Sequence, residues 1–108
     1  MIQTHNIKGA PKPLGNYSHA VSYGNLLIVS GIASRDFETD QIPGLKLDAK
    51  GAKLAYDIRQ ETRATLNNIR KILEECGSSL SQVLEVNTYL LEMKDLAAYN
   101  ELYAEFFS

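Results

Sequence analysis

Tyr17, His19 and Ser30 are the residues of this chain whose types and spacing best suit a polar binding site. A phenol, an imidazole and a hydroxyl on one surface can bind and orient a polar ligand or a water. Arg35 follows closely, and a guanidinium can hold a carboxylate through two parallel hydrogen bonds. The three come together if Tyr17–Tyr23 and Leu26–Ile32 pair as a β-hairpin around Gly24-Asn25. Glycine at the first central position of a two-residue turn takes a positive φ without a Cβ clash. That turn sets Tyr23 opposite Leu26, Val21 opposite Ile28, His19 opposite Ser30 and Tyr17 opposite Ile32. Alternation then puts Tyr17, His19 and Ser30 on one face, at the open end. Ordinary amphipathic strand residues with polar tips at a rim would give the same pattern, and a surface loop would equally explain Arg35.

The remaining elements must hold that hairpin. Leu26-Leu27-Ile28-Val29 shows no alternation, as in an inner strand covered on both sides. Residues 1–16 carry Gly9, Pro11, Pro13 and Gly15 and read as an extended or looped lead-in. Residues 35–53 are polar, with Pro43, Gly44 and Gly51. The short pieces Ile42 and Leu45-Lys46-Leu47 suit an edge strand or a flap.

Two helices follow. Asp57 to Cys76 has Ile58, Thr62, Leu66, Ile69, Ile72, Leu73 and Cys76 at helical spacing. Asp57 and Gln60 resemble a capping box, and Gly77 occupies the C′ position. Arg59, Arg63, Asn67, Arg70 and Glu74 read as the solvated side. Leu84 to Leu91 alternates and predicts a strand. Asp95 to Phe107 predicts a second helix with a stripe of Leu96, Tyr99, Leu102, Tyr103 and Phe106. The order β-β-(β)-α-β-α, with right-handed crossovers, puts both helices on one face of a sheet in a two-layer α+β sandwich.

Composition narrows the function. The chain has 108 residues, enough for one domain, 1–108. A net charge of −2 gives no electrostatic case for nucleic acid or an anionic membrane. No apolar run approaches the roughly 20 residues of a membrane span. The polar start shows no secretory h-region, and Cys76 is the one cysteine. Together they fit a reducing cytoplasm. There is no phosphate-binding glycine loop and no paired-cysteine zinc spacing. Two histidines, His5 and His19, are too few to predict a metal site. Cys76 reads as a small buried apolar residue.

Gly15-Asn16-Tyr17-Ser18-His19-Ala20-Val21, then Gly24-Asn25-Leu26 leading to Val29-Ser30-Gly31, resembles the opening of the reactive intermediate deaminase family, RidA or YjgF. Thr62-Arg63-Ala64-Thr65-Leu66-Asn67-Asn68-Ile69 is similar to its first-helix signature. Glu85–Leu90 and Tyr99–Phe107 are similar to its second strand–helix unit. Within the family, Ser30-Gly31 with Ser34-Arg35, Ile42-Pro43-Gly44, Asp48, Gly51 and Asp57-Ile58-Arg59 is most similar to the 2-aminomuconate deaminase branch.

The resemblance implies a chorismate-mutase-like fold and a homotrimer with clefts between subunits. It implies cofactor-independent hydrolysis of an enamine or imine, 2-aminomuconate-like or 2-aminoacrylate-like, to an oxo acid and ammonia. By the same carry-over Tyr17 lines the cleft and Ser30-Gly31 contacts the substrate or the water. Arg35, His19 and Lys94 fall to substrate binding, although Lys94 stands where the family often has Asn. The family's Pro-x-Arg-Ser segment and its final Glu-containing strand have no counterpart in these residues, so the expectation is a C-terminally truncated domain. A non-catalytic carboxylate-binding regulatory trimer and an endoribonuclease or translation inhibitor are the competing readings.

Overall fold

The structure, a computed structural model, describes residues 1–107. Its hairpin pairs β2 (Ala20–Tyr23) with β3 (Leu26–Val29) in the expected register, Tyr23 opposite Leu26 and Val21 opposite Ile28. Gly24 turns the corner at φ +60°. The ladder is shorter than the sequence predicts. Beyond Ala20 and Val29 only the bond from the Ser30 amide to the His19 carbonyl, 3.0 Å, continues it.

The lead-in contributes β1 (Ile2–His5), antiparallel to β2, so β2 is central in the order β1-β2-β3. The expectation that β3 is the covered inner strand is therefore corrected. Leu27 and Val29 are packed against the core, while Leu26 and Ile28 stay more than half exposed on the opposite face. Residues 46–55 form their own ribbon, β4 (Lys46–Leu47) against β5 (Lys53–Ala55). Asp48 closes its tip by accepting the amides of Lys50 and Ala52.

Helix α1 spans Ile58–Glu75. Asp57 caps it by accepting from the Arg59 and Gln60 amides, and the Gln60 amide side chain reaches back to the same carboxylate. It ends on Gly77 at φ +82°, with the Ser78 amide bonded to the Leu73 carbonyl and the Gly77 amide to that of Glu74, a Schellman closure. Thr62, Leu66, Ile72 and Leu73 are buried. Ile72 forms the core with Ala10 and Ala20, ringed by Ile7, Leu27, Val29, Ile32 and Cys76.

Helix α2 (Leu96–Phe106) buries Leu102 and lies along α1. Arg59 pairs with Glu101 at 2.7 Å and Arg63 with Glu105 at 3.1 Å across to α2, while both arginine side chains stay more than half exposed, as a solvated side should. The start of α2 agrees with its sequence to within a residue. Asp95 sits in a 3₁₀ turn, Met93–Asp95, and its carboxylate accepts from the Tyr56 hydroxyl instead of capping. Leu84–Leu91 forms no ladder among the described residues, and Leu84, Tyr89 and Leu91 are almost fully exposed. Alternation prepares a segment for pairing but does not supply the partner.

Candidate functional site

The open end of the hairpin is assembled by side-chain bonds to backbone. The Ser30 hydroxyl donates to the Ser18 carbonyl, closing the two arms one residue beyond the ladder. His19 is 4% exposed, and both ring nitrogens are engaged. The Ile7 amide donates to Nδ1 at 2.8 Å, and Nε2 lies 2.7 Å from the Pro11 carbonyl. The next carbonyl, Lys12, accepts from Arg35, whose other terminal nitrogen pairs with Asp40. The Asn68 amide donates to the carbonyls of Ala33 and Arg35, which fastens the loop after β3 to α1.

Tyr17 stands outside this lattice. It is 51% exposed, and its ring lies across Gly15, where an added Cβ would come within 2.8 Å of Cε1. A Cβ built on exposed Gly31 would meet nothing within 4 Å, so the backbone there is open to a ligand. The structure thus brings His19 and Arg35 to adjacent lead-in carbonyls, while Ser30 holds the Ser18 carbonyl within the hairpin, with Tyr17 and Gly31 exposed beside them in sequence. Lys94 is placed elsewhere. Its ammonium lies 5.9 Å from the Tyr56 ring centre, and among the described residues no hydrogen bond or ion pair joins it to Tyr17, Ser30 or Arg35.

Three groups away from the hairpin's open end have shifted titrations. The Tyr56 hydroxyl is pushed up to about 12, first by its 2.7 Å bond to the Asp95 carboxylate. Burial pushes Glu61 up. Asp36 is held below its usual value by the Thr39 and Glu38 amides, which shape the loop carrying Asp40. Asp40 itself is held in the left-handed region at φ +62°. Among the described residues no group of three or more His, Cys, Asp or Glu side chains converges to hold a metal. The engagement of His19 was not legible in the sequence, because its partners are backbone groups of a segment with no periodicity.

Known proteins give this geometry its context. The family model described as Endoribonuclease L-PSP matches residues 7–108. A RutC family protein of Pyrococcus horikoshii is 43% identical over 100 residues, covering 93% of this chain and 71% of the relative. The 2-iminobutanoate/2-iminopropanoate deaminase of Dermatophagoides farinae is 30% identical over 98 residues, covering 91% and 68%. The crystal structure of RidA from an Antarctic Psychrobacter superposes with a TM-score of 0.84 at 29% identity, covering 98% of this chain and 76% of that one. The two antiparallel sheets, the paired helices and the match along nearly the whole chain lead to one conclusion: the chain belongs to the endoribonuclease L-PSP family, the group that includes the RutC and RidA proteins.

Proposed function

We propose that this chain hydrolyses reactive enamines and imines to the corresponding oxo acid and ammonia, without a cofactor. The observation that carries the reading is its likeness to the mite deaminase along most of its length. In this reaction an enamine first takes a proton at its β carbon and gives up one from nitrogen to become the imine; a water then adds to the C=N carbon, giving a carbinolamine. Its C–N bond then breaks, the nitrogen leaves as ammonia and the oxygen becomes the carbonyl. A protein serves such a step by fixing the substrate and aiming the water. The exposed Tyr17 phenol, the Ser30 hydroxyl and the open backbone at Gly31 supply the polar wall. Arg35 supplies a guanidinium for the substrate carboxylate, which must displace Asp40 to reach it.

The substrate is small and acidic, of the 2-aminoacrylate or 2-aminomuconate kind, and we place the chain nearest the 2-aminomuconate branch. The second wall of the crevice comes from a neighbouring copy in a homotrimer, because one face of the sheet is apolar and uncovered. Lys94 contributes from its own corner, at the start of α2. The enzyme works in the cytoplasm and takes no nucleic acid or membrane as partner. Among the described residues no helix is long and apolar enough to cross a membrane.

Ammonia release from a freshly generated 2-aminoacrylate, with the protein at catalytic concentration, is the expected result. Binding of small carboxylates without turnover would instead favour a regulatory role. The Arg35→Ala variant should raise KM for acidic substrates about tenfold, the scale of one charge-assisted hydrogen bond; an unchanged KM removes Arg35 from the site. The matching family's description favours a second reading, RNA cleavage. A net charge of −2 opposes it, and cleavage of RNA by rigorously purified protein would reinstate it.

A further inference from the structure

We propose that His19 is a positioning residue: as its neutral Nε2–H tautomer it clasps the lead-in turn to the hairpin and so sets the rim on which Tyr17 and Arg35 stand. The partners dictate the tautomer. The Ile7 amide can only donate, so Nδ1 must be bare to accept from it. The Pro11 carbonyl can only accept, so Nε2 must carry the proton. An imidazolium would set a donor against the Ile7 N–H. The ring itself is almost wholly buried, so losing either bond leaves a buried polar group unpaired.

The clasp reaches further than its two bonds. His19 and Arg35 hold adjacent carbonyls, Pro11 and Lys12, the one from the first arm of the hairpin and the other from the loop after β3. Arg35's own backbone is held to α1 by Asn68. Movement of the lead-in therefore displaces the guanidinium, and with it the Asp40 carboxylate. Tyr17 lies two residues before His19, with its ring across Gly15, so the phenol rests on the same lead-in. With both nitrogens committed, His19 offers neither to a ligand. Its effect on substrate, which rests on the deaminase reading, is exerted through Tyr17 and Arg35.

Three measurements on the full chain test this. Long-range proton–nitrogen NMR should find the His19 ring proton on Nε2 and Nδ1 bare; a proton on Nδ1 overturns the proposal. The Ile7 amide should be protected from hydrogen exchange in the native protein and in His19→Gln, whose amide offers one acceptor and one donor. In His19→Leu its exchange should quicken about tenfold or more, the scale of one lost buried hydrogen bond. Equal exchange in the native protein and His19→Leu, or His19→Gln as damaged as His19→Leu, overturns it.

With an enamine substrate, His19→Leu should raise KM several-fold at nearly unchanged kcat, and His19→Gln should restore it. An unchanged KM alongside quickened exchange would leave a structural bond and overturn the positioning role. Should His19→Leu not fold, the native tautomer and His19→Gln decide alone. Should no enamine be turned over, the tautomer and the exchange still judge the clasp, separately from the reaction.

Discussion

Asp57 shows how much one side chain fixes here. Its carboxylate takes two backbone amides of α1 and the Gln60 side chain, and these hold it below the usual carboxylate range, the Gln60 amide first. A carboxylate with a lowered folded pKa stabilises the fold above its unfolded pKa of about 3.9, and that contribution is lost as pH falls through the lowered value. Thermal unfolding of the native protein should therefore drop below about pH 4. Asp57→Asn keeps a capping oxygen but cannot titrate, and its acid limb should be flatter. Asp36, held down by the Thr39 and Glu38 amides, and Glu101, held down by Arg59, contribute slope that remains. An acid limb unchanged in Asp57→Asn would remove the cap from this role.

Gly44 makes the same point through sterics. At φ +80° an added Cβ would come within 2.7 Å of Asp57 Cβ and 3.3 Å of its amide nitrogen, whereas at Gly51, φ +85°, it would meet open space. Gly51→Ala should cost about 1 kcal/mol, the left-handed penalty alone. Gly44→Ala should cost more, because the helix cap must shift, and denaturant midpoints of the two variants give the comparison.

At the scale of elements, the signals that succeeded were local. Gly24-Asn25 fixed the hairpin register, and the cap, stripe and Gly77 bounded α1 within a residue. What could not be read depended on contacts distant in sequence. β1 was missed because Gln3 and His5 give no apolar alternation; the His5 ring makes its tie to Ser22 across the sheet. The Asp95 side chain does not cap α2, because it is taken by Tyr56, 39 residues away. The site divides the same way. The pairing of His19 with Ser30 followed from the turn, but the grip of His19 on Ile7 and Pro11 did not.

The Tyr56–Asp95 bond joins the end of β5 to the start of α2, with the Lys53 ammonium 4.8 Å from the ring centre. Its pKa, raised to about 12, makes the protonated phenol a stabilising form. That contribution is complete below the unfolded value near 10 and is lost as pH rises through the folded one. Stability should decline between pH 10 and 12, and Tyr56→Phe should lower stability at pH 8 while removing part of the alkaline decline. A decline identical in the variant would mean that other groups cause it.

At the scale of the whole molecule, the sheet has one covered face and one bare face. Ala20, Leu27 and Val29 lie against the α1 core, while Ile2, Val21, Tyr23, Leu26 and Ile28 occupy the alternate positions. Ile28 is 57% exposed and Ile2 68%. The radius of gyration, 14.8 Å, exceeds the value of about 13 Å expected of a compact domain of this length. An exposed apolar surface of this kind is what an association site needs, and it supports the proposed homotrimer. The proposed homotrimer makes this quantitative. Sedimentation equilibrium should return about three times the 12.0 kDa of one chain, and stability should rise with protein concentration. Ile28→Asp places a carboxylate in the middle of the shared face, where an unpaired charge is strongly disfavoured, and should shift the species towards monomer. A crevice shared between copies would lose its second wall at the same time, so enamine turnover should fall in step with the loss of assembly. An Ile28→Asp protein that stays trimeric would put the interface on another surface, and a native protein that sediments as a monomer at micromolar concentration would dispose of the shared crevice.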